Sequence, residues 1–203
     1  MKVAIIGGTG RAGTAISAEL AQRGHQVTAI SRHPENAVDA DGVTAVAGDV
    51  GHPDALVAAI SGHDVVVSAV MFSDTDPAAL VGVVRESGVP RYLVVGGAAS
   101  LDVAPGVPLL TTPDFPDAYK AEATKGAAFL DYLRGVDDID WTFLSPSAYF
   151  FVGDRKGSFR LGKDELLVDA DGNSSISYAD YAIALVDEIE TPQHSRARFT
   201  VGY

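Results

Sequence analysis

The feature that most constrains this chain is a glycine-rich turn near its start. Lys2–Ile6 (KVAII) is a continuous apolar run, and Gly7-Gly8-Thr9-Gly10-Arg11-Ala12-Gly13 follows at once, opening an amphipathic stretch. A strand that is apolar throughout is buried on both faces, which points to a parallel sheet covered by helices. Glycines at 7, 10 and 13 spell G-x-x-G-x-x-G between that strand and a helix. In that setting the first glycine makes the tight turn and the second lets backbone approach a phosphate. The third lets helix and strand pack closely, while the helix start holds an anion on its free N–H groups. The expectation is a dinucleotide site.

The rest of the chain continues this rhythm. Residues 11–23 carry Ala12, Ile16 and Leu20 at helical spacing and stop at Gly24. Strands are expected at Gln26–Ile30, Val43–Ala47, His63–Ala69, Arg91–Val95, Asp140–Leu144 and Arg198–Val201. Helices are expected at Pro53–Ser61, Pro77–Ser87 and Asp117–Gly135, and a last one over Tyr181–Glu190 with Ser177 and Asp180 at its start. Residues 101–118 hold Pro105, Pro108, Pro113 and Pro116 and read as a surface loop. Residues 147–176, rich in glycine with strand-like pieces such as Glu165–Val168, read as a small lobe. The fold class is α/β: a Rossmann-like, doubly wound parallel sheet with a small C-terminal lobe, one domain over residues 1–203.

Composition narrows the partners. With 15 Lys+Arg against 27 Asp+Glu the chain carries −12 and repels phosphodiester backbones, so nucleic acid is disfavoured. Apolar runs fall well short of the roughly 18 residues that span a bilayer, and no signal-like segment precedes the first strand. There is no cysteine, which removes disulfides, thiolate metal sites and thiol nucleophiles and suits the cytoplasm. The five histidines show no metal-ligand spacing.

Cofactor choice is read at the end of the second strand, where NAD-binding chains place a carboxylate for the ribose 2′-hydroxyl. Ser31-Arg32-His33 stands there instead. A guanidinium makes bidentate bonds to a 2′-phosphate, and Ser31 can add one more, so NADP(H) is expected ahead of NAD(H). Ligands lie at the carboxyl ends of parallel strands. Those ends supply Asp49-Val50 for adenine, Ala69-Val70-Met71, Gly96-Gly97 with Ala98–Ser100, and Pro146. Tyr149, Phe150 and Phe151 are candidates to line a flat ligand's pocket, and Arg155-Lys156 to meet an anionic tail.

Taken together, GGTGRAG, AISRHPE, GDV, VVGGAASL, DFPDAYKAEA, DWTFLSP, RLGKDELLVDADG, ISYADYA and RFTVGY resemble atypical short-chain dehydrogenases/reductases of the NADH-flavin reductase type, related to biliverdin reductase B and NmrA-like proteins. The resemblance implies a bound NAD(P)H, with Gly7, Thr9, Gly10, Arg11, Ala12 and Gly13 at the pyrophosphate. It also implies Arg32 at the 2′-phosphate, Asp49-Val50 at the adenine and Ala69-Val70 at the ribose. The wider group uses a Tyr-x-x-x-Lys pair and a serine after the fifth strand. Ser100 stands at the serine's place, but Tyr119, Tyr132 and Tyr178 are followed four positions on by Ala123, Val136 and Ala182. Tyr119 and Lys120, adjacent and so about 100° apart on a helix, cannot form that pair. They are retained with Ser100 as catalytic candidates, Lys120 reaching a ribose or substrate. Without the pair, alcohol–ketone chemistry is poorly served. Hydride transfer to a flavin or quinone remains open, and so does a non-catalytic NADP(H) sensor of the NmrA-like type.

Overall fold

The computed structural model describes residues 1–203. From the N-terminus, β1 (Lys2–Ile6) leads into α1 (Arg11–Gln22), β2 (Gln26–Ser31), β3 (Val43–Ala47) and α2 (Pro53–Ile60). Next come β4 (Val65–Ser68), α3 (Pro77–Ser87) and β5 (Arg91–Val95). A hairpin of β6 (Asp102–Ala104) and β7 (Val107–Pro108) precedes α4 (Asp117–Arg134) and β8 (Asp140–Ser145). Three short strands, β9 (Tyr149–Phe151), β10 (Arg160–Gly162) and β11 (Ser175–Ser177), precede α5 (Tyr178–Glu190) and β12 (Ala197–Gly202).

The main sheet runs β3-β2-β1-β4-β5-β8-β12-β10, and every pairing is parallel except that of β10 with β12. Chain direction across the sheet reverses between β1 and β4, the place where such sheets open a crevice. Alternation along β1 explains the two layers. Ala4 and Ile6 join a core with Leu56, Leu80, Val84, Phe129 and Leu133 of α2, α3 and α4. Val3 and Ile5 join one with Ile16 and Leu20 of α1 and Tyr181, Leu185 and Ile189 of α5. Helices on both faces are what uniformly apolar strands require.

Three expectations are corrected. Residues 101–118 are not one irregular loop: β6 and β7 pair as a hairpin, turned at Gly106, and a single 3-10 turn follows at Leu109–Thr111. Glu165–Val168 is not a strand, since only Glu165 bridges to Asp102. The last helix starts at Ser177 as expected, its first turn at Tyr178 preceding the expected body from Tyr181, and the Ser177 hydroxyl accepts from the Asp180 N–H. Asp180 does not complete a capping box. Its carboxylate turns to the N–H groups of Lys156 and Gly157 and to the Tyr203 hydroxyl, fastening the 153–157 loop and the last residue to α5. Burial pushes the Asp180 carboxyl up, but these hydrogen bonds outweigh it and hold it below the usual range. No helix is long and apolar enough to cross a membrane.

The end of the sheet away from the crevice is closed by a buried ion pair. Glu188 of α5 accepts from Arg91 at 2.7 Å, from the N–H groups of Gln193 and His194, and from the His194 ring at 2.8 Å. Arg91, also buried, donates to Asp140 and Thr142 of β8 as well. Glu188→Ala leaves a buried guanidinium short of a counter-charge. The expected loss is about 3 kcal/mol of unfolding free energy, measured by urea denaturation.

Candidate functional site

The site is built around two contacts that only glycine allows. Gly7 has φ +84°, and a Cβ there would lie 2.3 Å from the Ala69 carbonyl oxygen, so the loops after β1 and β4 touch at the crevice. Inside α1, a Cβ on Gly13 would lie 2.2 Å from the Gly7 oxygen and 2.8 Å from Gly8 Cα. The helix is therefore drawn against the loop it follows. Gly10 is its N-cap and offers no side chain, and the first turn holds no acidic residue. Thr14 is the first N–H to bond back, to the Gly10 oxygen at 2.8 Å. The N–H groups of Arg11, Ala12 and Gly13 have no acceptor in the protein. Three free donors at the positive end of a helix suit a phosphate oxygen.

Beside this turn lies a cavity of about 420 Å³. Gly7, Thr9 and Gly10 line it from the loop, Ser31, Arg32 and His33 from the end of β2, Asp49 and Val50 from beyond β3, and Ala69, Val70 and Met71 from beyond β4. Arg11, Ala12 and Gly13 do not line it. Arg11 is exposed, Ala12 packs against the core shared with α5, and Gly13 is buried under the loop, so their backbone is what they offer here. The Arg32 side chain is exposed and has neither an ion pair nor a hydrogen bond within the protein. Ser31 Oγ accepts from the His33 N–H at 3.0 Å, which leaves its own proton to donate. One oxygen of Asp49 accepts from the Gly51 N–H at 2.8 Å, shaping the turn before α2. Free N–H groups, a free guanidinium and a free hydroxyl form a donor set that fits a phosphate-bearing dinucleotide.

A second cavity, of about 580 Å³, continues past Met71. Gly96, Gly97 and Ser100 border it from beyond β5, Pro146 and Ser147 from beyond β8, and Tyr119 and Glu122 from α4. Its remaining walls include Phe72, Phe115, Phe150 and Tyr178. Met71 lines the first cavity and the next residue, Phe72, the second, and Glu122 holds this step by accepting from the N–H groups of Phe72 at 2.7 Å and Ser73 at 2.8 Å. Phe72 itself packs on Phe129 and Phe143, so this wall is part of the core. Sequence reasoning missed Glu122, because nothing local marks a helical glutamate as the holder of a distant turn.

The catalytic candidates are separated. Ser100 and Tyr119 both line the second cavity, and Ser100 accepts from Arg198 at 3.2 Å, a guanidinium held in turn by Asp164. Lys120 lines neither cavity and pairs with Asp117 at 2.6 Å, contrary to the expectation that it reaches a ribose or substrate. Adjacent helical residues diverge by about 100°, so α4 cannot aim both side chains inward. Of the aromatic trio only Phe150 faces the cavity. Tyr149 and Phe151 stack on each other at 5.0 Å outside it. Arg155 pairs with Glu19 and Lys156 lies over the Tyr203 ring, so neither awaits an anionic tail.

The profile of a family described as NAD(P)H-binding matches residues 7–192. The chain belongs to this family, among the atypical short-chain dehydrogenases/reductases. Three solved structures show the likeness over the whole chain. One from Burkholderia pseudomallei is 47% identical with a TM-score of 0.89, covering 100% of both chains. One from Bacteroides thetaiotaomicron is 38% identical at 0.94, covering 100% of this chain and 96% of that one. One from Streptococcus pneumoniae is 36% identical at 0.84, covering 100% and 99%. Their names, all provisional, are an exported protein, an epimerase and an NADH-flavin reductase respectively. Since nicotinamide is a hydride carrier, family membership brings oxidoreductase chemistry with it.

Gly13→Ala tests the loop. A methyl group 2.2 Å from the Gly7 oxygen must push α1 away from the turn. Affinity for NAD(P)H should fall at least about tenfold, read by calorimetric titration, because the anion then loses its aligned donors.

Proposed function

We propose that the chain is an NADPH-dependent reductase of a flat conjugated acceptor such as a flavin or a quinone. The observation that carries this reading is a pair of neighbouring cavities, one polar with free donors and one apolar with aromatic walls, lined in turn by the consecutive residues Met71 and Phe72. When bound, the reduced nicotinamide supplies a hydride to the acceptor ring, and water supplies the proton that completes the reduction.

The protein's part is binding and orientation. The N–H groups of Arg11, Ala12 and Gly13, with Gly7, Thr9 and Gly10, would hold the pyrophosphate. Arg32 would grip a 2′-phosphate and Ser31 would add a bond, while Asp49 and Val50 meet the adenine. Ala69, Val70 and Met71 would border the ribose, and Gly96, Gly97 and Pro146 the nicotinamide, where small residues permit close approach. Phe115, Phe150 and Tyr178 give a planar ring faces to lie against in the second cavity. Ser100, oriented by Arg198, can donate to an acceptor oxygen or nitrogen.

Epimerase chemistry, the activity in the Bacteroides protein's name, needs a tyrosine activated by a lysine to move the proton. Tyr119 lines the cavity but no lysine does, and the adjacent Lys120 is turned to Asp117, which weighs against that reading. The missing pair equally favours an NADP(H) sensor that binds and does not turn over. The cytoplasm is the compartment we propose, on the absence of cysteine, although the Burkholderia relative is named as exported.

Two measurements follow. NADPH oxidation with riboflavin, FMN or a quinone should proceed at a rate proportional to enzyme, and tight cofactor binding without turnover on any of them would favour the sensor. NADPH should bind more tightly than NADH, and Arg32→Ala should cost NADPH about ten- to a hundredfold while leaving NADH nearly unchanged. Equal affinities in the unmutated protein overturn the cofactor preference.

A further inference from the structure

We propose that the second cavity selects an acceptor that is uncharged or cationic and rejects an anionic one. This rests on that cavity being the acceptor site. Its lining contains two carboxylates, Asp114 and Glu122, and no lysine, arginine or histidine. The Asp114 side chain makes no ion pair and no hydrogen bond within the protein. Glu122 spends both oxygens on the Phe72 and Ser73 N–H groups, which holds its charge in place without cancelling it.

No cation reaches the lining itself: Lys120 pairs with Asp117, Lys156 lies 3.6 Å over the Tyr203 ring, and Lys125 of α4 is unpaired but outside the cavity. Arg198 stands behind Ser100, to which it donates at 3.2 Å, and its charge is met by Asp164. The surrounding charge of −12 adds no positive field. A phosphate or carboxylate on the acceptor would therefore enter a space lined by the held Glu122 carboxylate and the unpaired, exposed Asp114 carboxylate, with no cation in the lining and with apolar walls that weaken solvent screening. The aromatic faces carry negative quadrupoles and act in the same sense, tolerating a cation and repelling an anion. The cofactor's own charges are met in the first cavity, by Arg32 and the start of α1. The two cavities thus divide opposite electrostatic tasks.

Riboflavin and FMN test this, since they share the ring and differ by one phosphate. Their binding is read by quenching of flavin fluorescence with NADP⁺ present. Riboflavin should bind on the order of tenfold more tightly at low salt, with the ratio shrinking as salt rises. Asp114→Asn should cut the ratio several-fold by raising FMN affinity. FMN binding as tightly as riboflavin, no binding of either flavin, or an unchanged ratio in Asp114→Asn would each overturn the proposal. Selective riboflavin binding with no NADPH oxidation would instead sustain it and overturn the reductase reading.

Discussion

The structure hangs on the approach of three backbone segments at the point where strand order reverses. Gly7 lies against the Ala69 carbonyl, and Gly13 lies against Gly7 and Gly8. Any side chain at these positions would part the β1 loop from the β4 loop, or α1 from both. Because they touch, the free N–H groups of the first turn of α1 stand beside the mouth of the crevice, between strand ends that carry Arg32, Asp49 and Met71. The polar cavity is the space left when these loops close together. The buried layers on either face hold the strand ends at fixed spacing.

A second constraint divides the crevice. Glu122 reaches from α4 to the turn after β4, across a separation of fifty residues in sequence, and takes the N–H groups of Phe72 and Ser73. Phe72 is thereby pressed against Phe129 and Phe143 and forms a wall of the apolar cavity, while Met71, one residue earlier, faces the polar one. A chain with a large excess of acid has to gather its donors where a polyanion binds. It does so with backbone N–H groups and two unpaired arginines, Arg11 and Arg32, while the guanidinium groups of Arg198 and Arg155 are tied into ion pairs with Asp164 and Glu19.

Much of the sheet was legible because buried parallel strands are apolar throughout, and helices of a dozen residues show their period. Lys2–Ile6, Val43–Ala47, Pro77–Ser87 and Arg91–Val95 come out at the expected bounds. The strands β9, β10 and β11 were not legible: three residues are too few for any period to show. The β6–β7 hairpin was hidden for a related reason, since its prolines and glycine read as breakers although Gly106 at φ +73° is what turns it.

For the site the division is similar. The glycine turn, the absence of a carboxylate after β2 and the candidate strand ends are local signals, and the amino-acid sequence by itself determined them. Local geometry also determined that Tyr119 and Lys120 cannot act as a pair. Which side chains remain free was decided only in three dimensions. Lys120, Arg155 and Lys156 are spent on Asp117, Glu19 and the Tyr203 ring, whereas Arg32 is not spent at all. The acidic lining of the aromatic cavity, joining Asp114 and Glu122 to residues from four other segments, belongs to the same class. Charge and hydrogen bonding act through space over a few ångströms, and a linear chain does not state which of its distant residues will come within that range.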